Sequence, residues 1–318
     1  MKKKIIAILV LCMILIAALI GCSIKPEKRQ ISAGDDTKLR TLILSDIRFD
    51  GSAADSVRER MITRMVKDRN PEFIAISGNI VNGEENGKLM KKAVELIDSF
   101  GIPWATSLGE LDTKGNTSKK EIMRILTDKK LKNSMVMRGE NYGYNYILEI
   151  VDYKNKVNNL FYFVDTTEAC TDTFVEWYKN TISTLSFKYK EVQGQILNSQ
   201  VFMNRPLPIY SDKDVSDSAY NYEVHPWSNS ISFQNAIIAT KSTRVVFAGF
   251  DEMTNGSSYK PKDVNYVYVK SLLFDSSMAG TKYTKQKNST GCTFCEFTDS
   301  STVSVTTHQY NPDNYVNS

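Results

Sequence analysis

Histidine is nearly missing from this chain: His225 and His308 are the only two in 318 residues. They fall in no common motif, so Ser-His-Asp and Cys-His catalysis have no constellation to rest on. Cysteine is sparse as well, at five residues. Cys12 and Cys22 lie near the N-terminus, Cys170 stands alone in TEACTD, and Cys292 and Cys295 form GCTFC. No second cysteine pair and no histidine cluster accompany the last two, which excludes a zinc-ribbon pattern. In an oxidising compartment the pair could close a small disulfide. On a strand, residues three apart point to opposite faces, which opposes joint metal ligation. A structural role is expected for them. Internal repeats and low-complexity tracts are absent too.

The chain also lacks a charge excess where one would count. Its formal net charge is +4, but Lys2, Lys3 and Lys4 supply most of that, and without them it is +1. Such a balance gives no support to nucleic-acid binding. The three lysines precede an uncharged apolar run, Ile5 to Ile20, and then Gly21-Cys22 and a polar segment. A basic region, an apolar core and a small residue before the cut make a secretory signal. The apolar run is short for a membrane span, which needs about 20 residues. An uncleaved N-terminal anchor is the alternative. Leu19-Ile20-Gly21-Cys22 resembles the bacterial lipobox, whose cysteine takes a diacylglyceryl group and becomes the mature N-terminus. That resemblance implies a signal peptide over residues 1–21 and lipidation of Cys22. It places the protein at the cell membrane, lipid-anchored, on the extracytoplasmic face, where a two-chain lipid holds a protein stably. Residues 22–38, with Pro26, Gly34 and many charges, read as a tether. Residues 39–318 are long enough to bury a sizeable core.

What the remaining sequence does have is a series of buried strands that stop at small and polar residues. Leu39 to Gly51 reads LRTLILSDIRFDG. Leu42, Ile43 and Leu44 are continuous, as in a strand covered on both faces. Ser52 to Arg69 carries Val57, Met61, Ile62, Met65 and Val66 at helical spacing. Glu72 to Ile76 is a second strand, Leu89 to Phe100 a second helix closed by Gly101, and Ile102 to Leu108 a third strand. Alternating strands and helices imply parallel pairing with right-handed crossovers. The strand ends, Ser45-Asp46, Gly78-Asn79 and Gly109-Glu110, then converge on one sheet edge. Farther on, Tyr144 to Val151 and Leu160 to Val164 read as a strand pair, and Phe174 to Leu185 as a helix. Gln200 to Met203 is a strand entering the loop Asn204-Arg205-Pro206-Leu207-Pro208. Ile231 to Ala239 is a helix, and Arg244 to Ala248 a strand ending in Gly249-Phe250-Asp251-Glu252. Val264 to Phe274 and Phe294 to Val305 are expected to complete a second sheet. The fold class is α/β, a layered sandwich of two mixed β-sheets flanked by helices.

Five of these stretches, LRTLILSDIR, PEFIAISGN, GIPWATSLGELD, NRPLPIY and VVFAGFDE, resemble in order and spacing the motifs of the calcineurin-like metallophosphoesterases. The single-domain, purple-acid-phosphatase-like members are the most similar. YGYNYIL and VEWYKNTIS also resemble family stretches. The likeness runs from about Leu39 to Asn255. In that family two metal ions about 4 Å apart clamp a phosphate and activate a water. Carried over residue by residue, the first aspartate is Asp46, but its partner histidine is Arg48 and the bridging aspartate is Asn79. The third motif's asparagine is Glu110, the histidine beside it is Leu111, and its closing acid is Asp112. The lone histidine of the fourth motif is Asn204, and the two histidines of the last are Phe250 and Glu252.

Of the ligand set, Asp46 alone keeps its type. Phe250 offers no lone pair, Asn79 carries no charge, and Arg48 sets a permanent cation where a metal would sit. The expectation is therefore a catalytically inactive fold, with no metal and no catalytic residue, acting as a binding or scaffold module for a protein or envelope ligand. Arg48 is expected to replace the metal as internal cation and to tie Asp46 to Glu252. The alternative is a phosphoesterase with an altered site, in which Asp46, Glu110, Asn204 and Glu252 hold one divalent cation, Ca, Mg or Mn.

Overall fold

The computed structural model describes residues 30–33, 38–139, 143–152, 154–190, 196–211, 224–250, 258–259, 263–272, 290–298 and 303–315. Cys22, the expected signal peptide, most of the expected tether, Asp251 and Glu252 lie outside them.

The first half alternates as its sequence predicts. Strand β2 (Lys38–Leu44) is followed by helix α1 (Ala54–Arg69), β3 (Phe73–Ser77), α2 (Asn86–Ser99) and β4 (Trp104–Ser107). β2, β3 and β4 pair in parallel, with Leu42 opposite Ile74 and Ile74 opposite Trp104. Helix α1 lays Val57, Met61, Ile62 and Met65 against the sheet and ends at Asn70 in a left-handed cap. Asparagine tolerates that conformation better than most residues. Helix α2 begins at Asn86 rather than at Leu89. Asn86 is buried, and its Nδ2 donates to the Asp112 carbonyl oxygen at 2.9 Å. That anchor has no signature in apolar spacing. Helix α3 (Lys119–Leu126) follows, with Ser118 as its N-cap.

The second half builds the other sheet. β5 (Tyr146–Val151) pairs antiparallel with β6 (Val157–Val164), and β6, β7 (Asn198–Met203) and β8 (Thr243–Ala248) run parallel. Helices α4 (Asp172–Tyr189) and α5 (Ile231–Thr240) make the crossovers. β10 (Asn265–Tyr268) joins β8 in parallel, and β9 (Ser258–Tyr259) joins β10 antiparallel.

Two features depart from the expected layout. The C-terminal stretch is a hairpin, β11 (Gly291–Thr298) and β12 (Val303–Gln309), and it joins the first sheet by pairing antiparallel with β2. With β1 at Gln30–Ser32, the sheets are β1-β5-β6-β7-β8-β10-β9 and β12-β11-β2-β3-β4. Strand β1 is Gln30–Ser32, inside the stretch read as tether, and it lies parallel to β5 with Gln30 opposite Glu149. The fold therefore takes in residues ahead of position 39.

The sandwich has one core between the sheets and apolar layers outside them. On β6, Phe161 and Phe163 face inward, while Leu160, Tyr162 and Val164 face α4 and α5. This period of two is what a strand covered on both faces produces. Phe163, Phe202 and Phe247 stack across β6, β7 and β8 with centroids 4.9 and 5.0 Å apart. Cys292 and Cys295 are buried free thiols on β11, not a disulfide. Burial pushes the Cys292 thiol up to about 12 and the Cys295 thiol well above its ordinary value. Few thiolates then form at neutral pH, so both are chemically quiet.

Candidate functional site

Because β2, β3 and β4 are parallel, their carboxyl ends share an edge, and β7 and β8 end beside them from the other sheet. Backbone bonds stitch the loops together. Asp46 N–H donates to Gly78 O at 3.2 Å, Arg48 N–H to Asn79 O at 3.0 Å, and Gly249 N–H to Asn204 O at 2.9 Å. The packing is close enough to demand glycine at two places. A Cβ on Gly78, whose φ is +73°, would lie 2.8 Å from Asn204 Cβ. A Cβ on Gly249 would lie 1.8 Å from Ser45 Oγ. Asp46, Arg48, Asn79 and Phe250 also take left-handed φ, between 50° and 77°. Side-chain-bearing residues adopt that region at a cost of about 1–2 kcal/mol each, so the loops must hold them there.

The side chains then close on one another. Asp46 is fully buried. Its Oδ2 accepts from Ser45 Oγ at 2.6 Å and from Phe250 N–H at 2.9 Å. Its Oδ1 accepts from Asn79 Nδ2 at 2.8 Å and from Arg48 Nη2 at 3.2 Å. Arg48 Nη2 also donates to the Phe250 carbonyl oxygen at 3.4 Å. Asn79 Oδ1 accepts from Leu111 N–H at 3.0 Å, linking the second loop to the third. Asn204 is buried; its Nδ2 donates to Ser77 O at 2.8 Å, and its Oδ1 has no hydrogen-bond partner among the described residues.

Asp112 is a backbone organiser. Its Oδ2 accepts from the N–H groups of Asn79 and Gly109, both at 2.9 Å, and its Oδ1 from that of Val81 at 3.0 Å. Full burial outweighs those donors and pushes its carboxyl up to about 7. Glu110 points the other way, into an ion pair with Arg205 and another with Lys114. Partial burial would raise its carboxyl, but the bonds from Lys114 and Arg205 hold it below the ordinary range. The Arg205 guanidinium lies 3.9 Å from the centroid of the Phe250 ring, a cation–π stack.

Asp46, Arg48, Asn79, Glu110, Leu111, Asp112, Asn204 and Phe250 thus lie in loops at one edge, as the motif order predicts. The Asp46 half of the expected Asp46–Arg48–Glu252 bridge is present, and Glu252 is outside the described residues. Arg205 and Lys114 were not singled out in the sequence. The signal for Arg205 was there: a second arginine in a motif loop, with Glu110 an acid in need of a cation.

The donor set does not fit a two-metal centre. Both Asp46 oxygens already accept two hydrogen bonds each. Asn79 turns its Nδ2, not an oxygen, toward Asp46. Among the described residues, no three His, Cys, Asp or Glu side chains gather as a metal site.

No family model matches the chain. It is 24% identical over 223 residues to the uncharacterized protein C1020.05 of Schizosaccharomyces pombe, covering 65% of this chain and 41% of that one. It is 27% identical over 94 residues to a probable inactive purple acid phosphatase of Arabidopsis thaliana, covering 29% of this chain and 23% of that one. The chain thus matches less than half the length of either curated relative. Among solved structures, a dimetal phosphatase from Danio rerio superposes with a TM-score of 0.55 at 9% identity, over 86% of this chain and 99% of the other. GAP50, the anchor in the inner membrane complex of Plasmodium, also gives 0.55, at 15% identity, over 86% and 89%. The fold, two mixed sheets between helices, matches that of these metallophosphoesterase structures.

Proposed function

We propose that this protein is a membrane-anchored extracytoplasmic lipoprotein whose metallophosphoesterase fold serves as a binding or scaffold module rather than as a catalyst. The observation that carries the reading is the buried Arg48 guanidinium on Asp46, with side chains 9% and 1% exposed. A divalent ion entering there would meet a fixed cation. At about 4 Å and an effective dielectric near 20, that repulsion is about 4 kcal/mol per unit of metal charge. The ion would also have to displace donors from Asp46. Arg48 does structurally what a metal does in related folds: it neutralises the carboxylate and holds the first and last loops together.

The second reading is a metal-dependent phosphoesterase acting on an extracellular phosphoester through an altered site. It is favoured by the fold of the Danio rerio dimetal phosphatase and by Asp46 and Glu110, which keep oxygens at the edge. Metal analysis of purified mature protein, with a generic phosphoester assay in added Mn²⁺, separates the two. The scaffold reading expects no stoichiometric metal, no turnover above background, and no rise in melting temperature with stoichiometric Mn²⁺ or Ca²⁺. Tight metal binding with turnover would replace it by the second reading. For the anchor, Cys22→Ala is expected to release the protein or leave an uncleaved precursor. An unchanged membrane fraction and an unchanged N-terminal mass would defeat it.

A further inference from the structure

The opposite edge of the seven-stranded sheet has a different character. β6, β7 and β8 are parallel, so their beginnings lie together, away from the loops that carry Asn204 and Phe250. Helices α4 and α5 end at that edge. There Phe187 is 83% exposed and Ile196 is 45% exposed. They adjoin, because Leu197 N–H donates to Ser186 Oγ at 3.0 Å. Lys188 and Lys190 stand beside Phe187, Lys156 precedes β6, and Lys241 precedes β8. Among the described residues, two of the nearby acids are engaged or buried. Asp152 Oδ1 accepts the N–H groups of Lys154 and Lys156 at 2.8 and 2.9 Å, and Glu149 is 8% exposed. Asp263 is exposed, at the far side, before β10.

The chain entering the fold is fastened here. Gln30 Nε2 donates to Glu149 Oε2 at 3.0 Å, and Tyr189 OH, at the end of α4, donates to Glu149 Oε1 at 2.7 Å. Glu149 thus clamps β1 to the helix turn that carries Phe187. From Cys22 to Gln30 is eight residues, which at about 3.3–3.6 Å each span at most about 29 Å. β1 runs toward this edge, from Gln30 to Ser32, and that reach is enough for a lipid on Cys22 to lie at it.

We propose that this edge is a membrane-docking surface: Phe187 and Ile196 enter the headgroup region, and Lys156, Lys188, Lys190 and Lys241 face anionic lipid phosphates. The inference rests on the lipid-anchor reading above. An exposed aromatic ring ringed by lysines matches an anionic interface, where the ring is dehydrated and the ammonium groups stay among the phosphates. The candidate site then points away from the lipid.

The test uses the full-length protein, matured in its host and reconstituted in vesicles with and without phosphatidylglycerol. Phe187→Cys and Glu168→Cys variants each carry a polarity-sensitive fluorophore; Glu168, 82% exposed, follows the end of β6 at the site edge. Cys170, Cys292 and Cys295 are buried and compete little for the label. N-terminal mass reports lipidation independently. The expected result is lipidated protein with blue-shifted emission at 187, quenched by nitroxide lipids, and neither effect at 168. Lys188→Glu with Lys190→Glu and Lys241→Glu, or removal of phosphatidylglycerol, should abolish the quenching. Lipidated, vesicle-bound protein with no quenching at 187 would overturn the docking surface and leave the anchor standing. Burial of 187 only on addition of another protein would overturn it too. An unlipidated N-terminus would remove both.

Discussion

The Asp46–Arg48 and Glu110–Arg205 pairs join the same two functional groups at the same sheet edge, yet they occupy different environments. The first is 1% and 9% exposed, and the second 25% on each side. In the first, every acceptor site on the carboxylate is engaged by loops from both sheets. In the second, Glu110 shares its charge with Lys114 and is partly exposed, and Arg205 leans on an aromatic face. A buried pair is costly to break because the survivor stays charged without a partner. A half-exposed pair is replaced by solvent at little cost. The comparison teaches that the edge is closed from inside: its buried half holds the loops, and its outer half covers them.

The largest expected effect is at Arg48. Arg48→Ala should lower stability by about 2–4 kcal/mol, somewhat under the usual cost of breaking a buried pair, because Ser45, Asn79 and Phe250 still hold Asp46. Chemical denaturation measures it, and a loss below about 1 kcal/mol would place the pair in effectively aqueous surroundings. Gly78→Ala comes next, at about 1–3 kcal/mol, since its Cβ meets Asn204 and the Gly109 backbone in a left-handed conformation. Asp112 sharpens the comparison through pH. Its folded carboxyl is raised from 3.8 to about 7, so between those values the folded chain keeps a proton that the unfolded chain has released. Stability therefore falls as pH rises through that window. A melting curve that stays flat there, or falls equally in Asp112→Asn, would contradict the assignment. The smallest effect is at Arg205: Arg205→Ala should cost less than about 1 kcal/mol and leave the Asp46 cluster intact. A loss as large as that of Arg48→Ala would erase the distinction between the pairs.

Much of this edge was legible in the sequence. Runs such as Leu42 to Leu44 or Phe73 to Ile76 stop abruptly at a small and a polar residue, and that pattern carries the strand ends. The expectation that Arg48, Asn79 and Phe250 stand at ligand positions of the resembling family rested on the same strand ends. Partners of strands were not. The β11 residues alternate like any half-covered strand, and nothing local says that they pair with β2, some 250 residues earlier. Gln30–Ser32 has one apolar residue, Ile31, and its strand character comes wholly from the open edge of β5. Arg205 escaped because its role depends on a neighbour from another loop.

Strand β1 also has a mechanical meaning. It is three residues long and held on one side, so under the proposed lipid anchor it would be a weak fastening in series between the lipid and a large, tightly packed body. Tension on such an anchor would load this strip before the sandwich. Peeling it away would free the chain from Gln30 to Lys38, adding up to about 29 Å of reach at 3.3–3.6 Å per residue while the sandwich stays folded. The protein would then have two leash lengths, a short one at rest and a longer one under load.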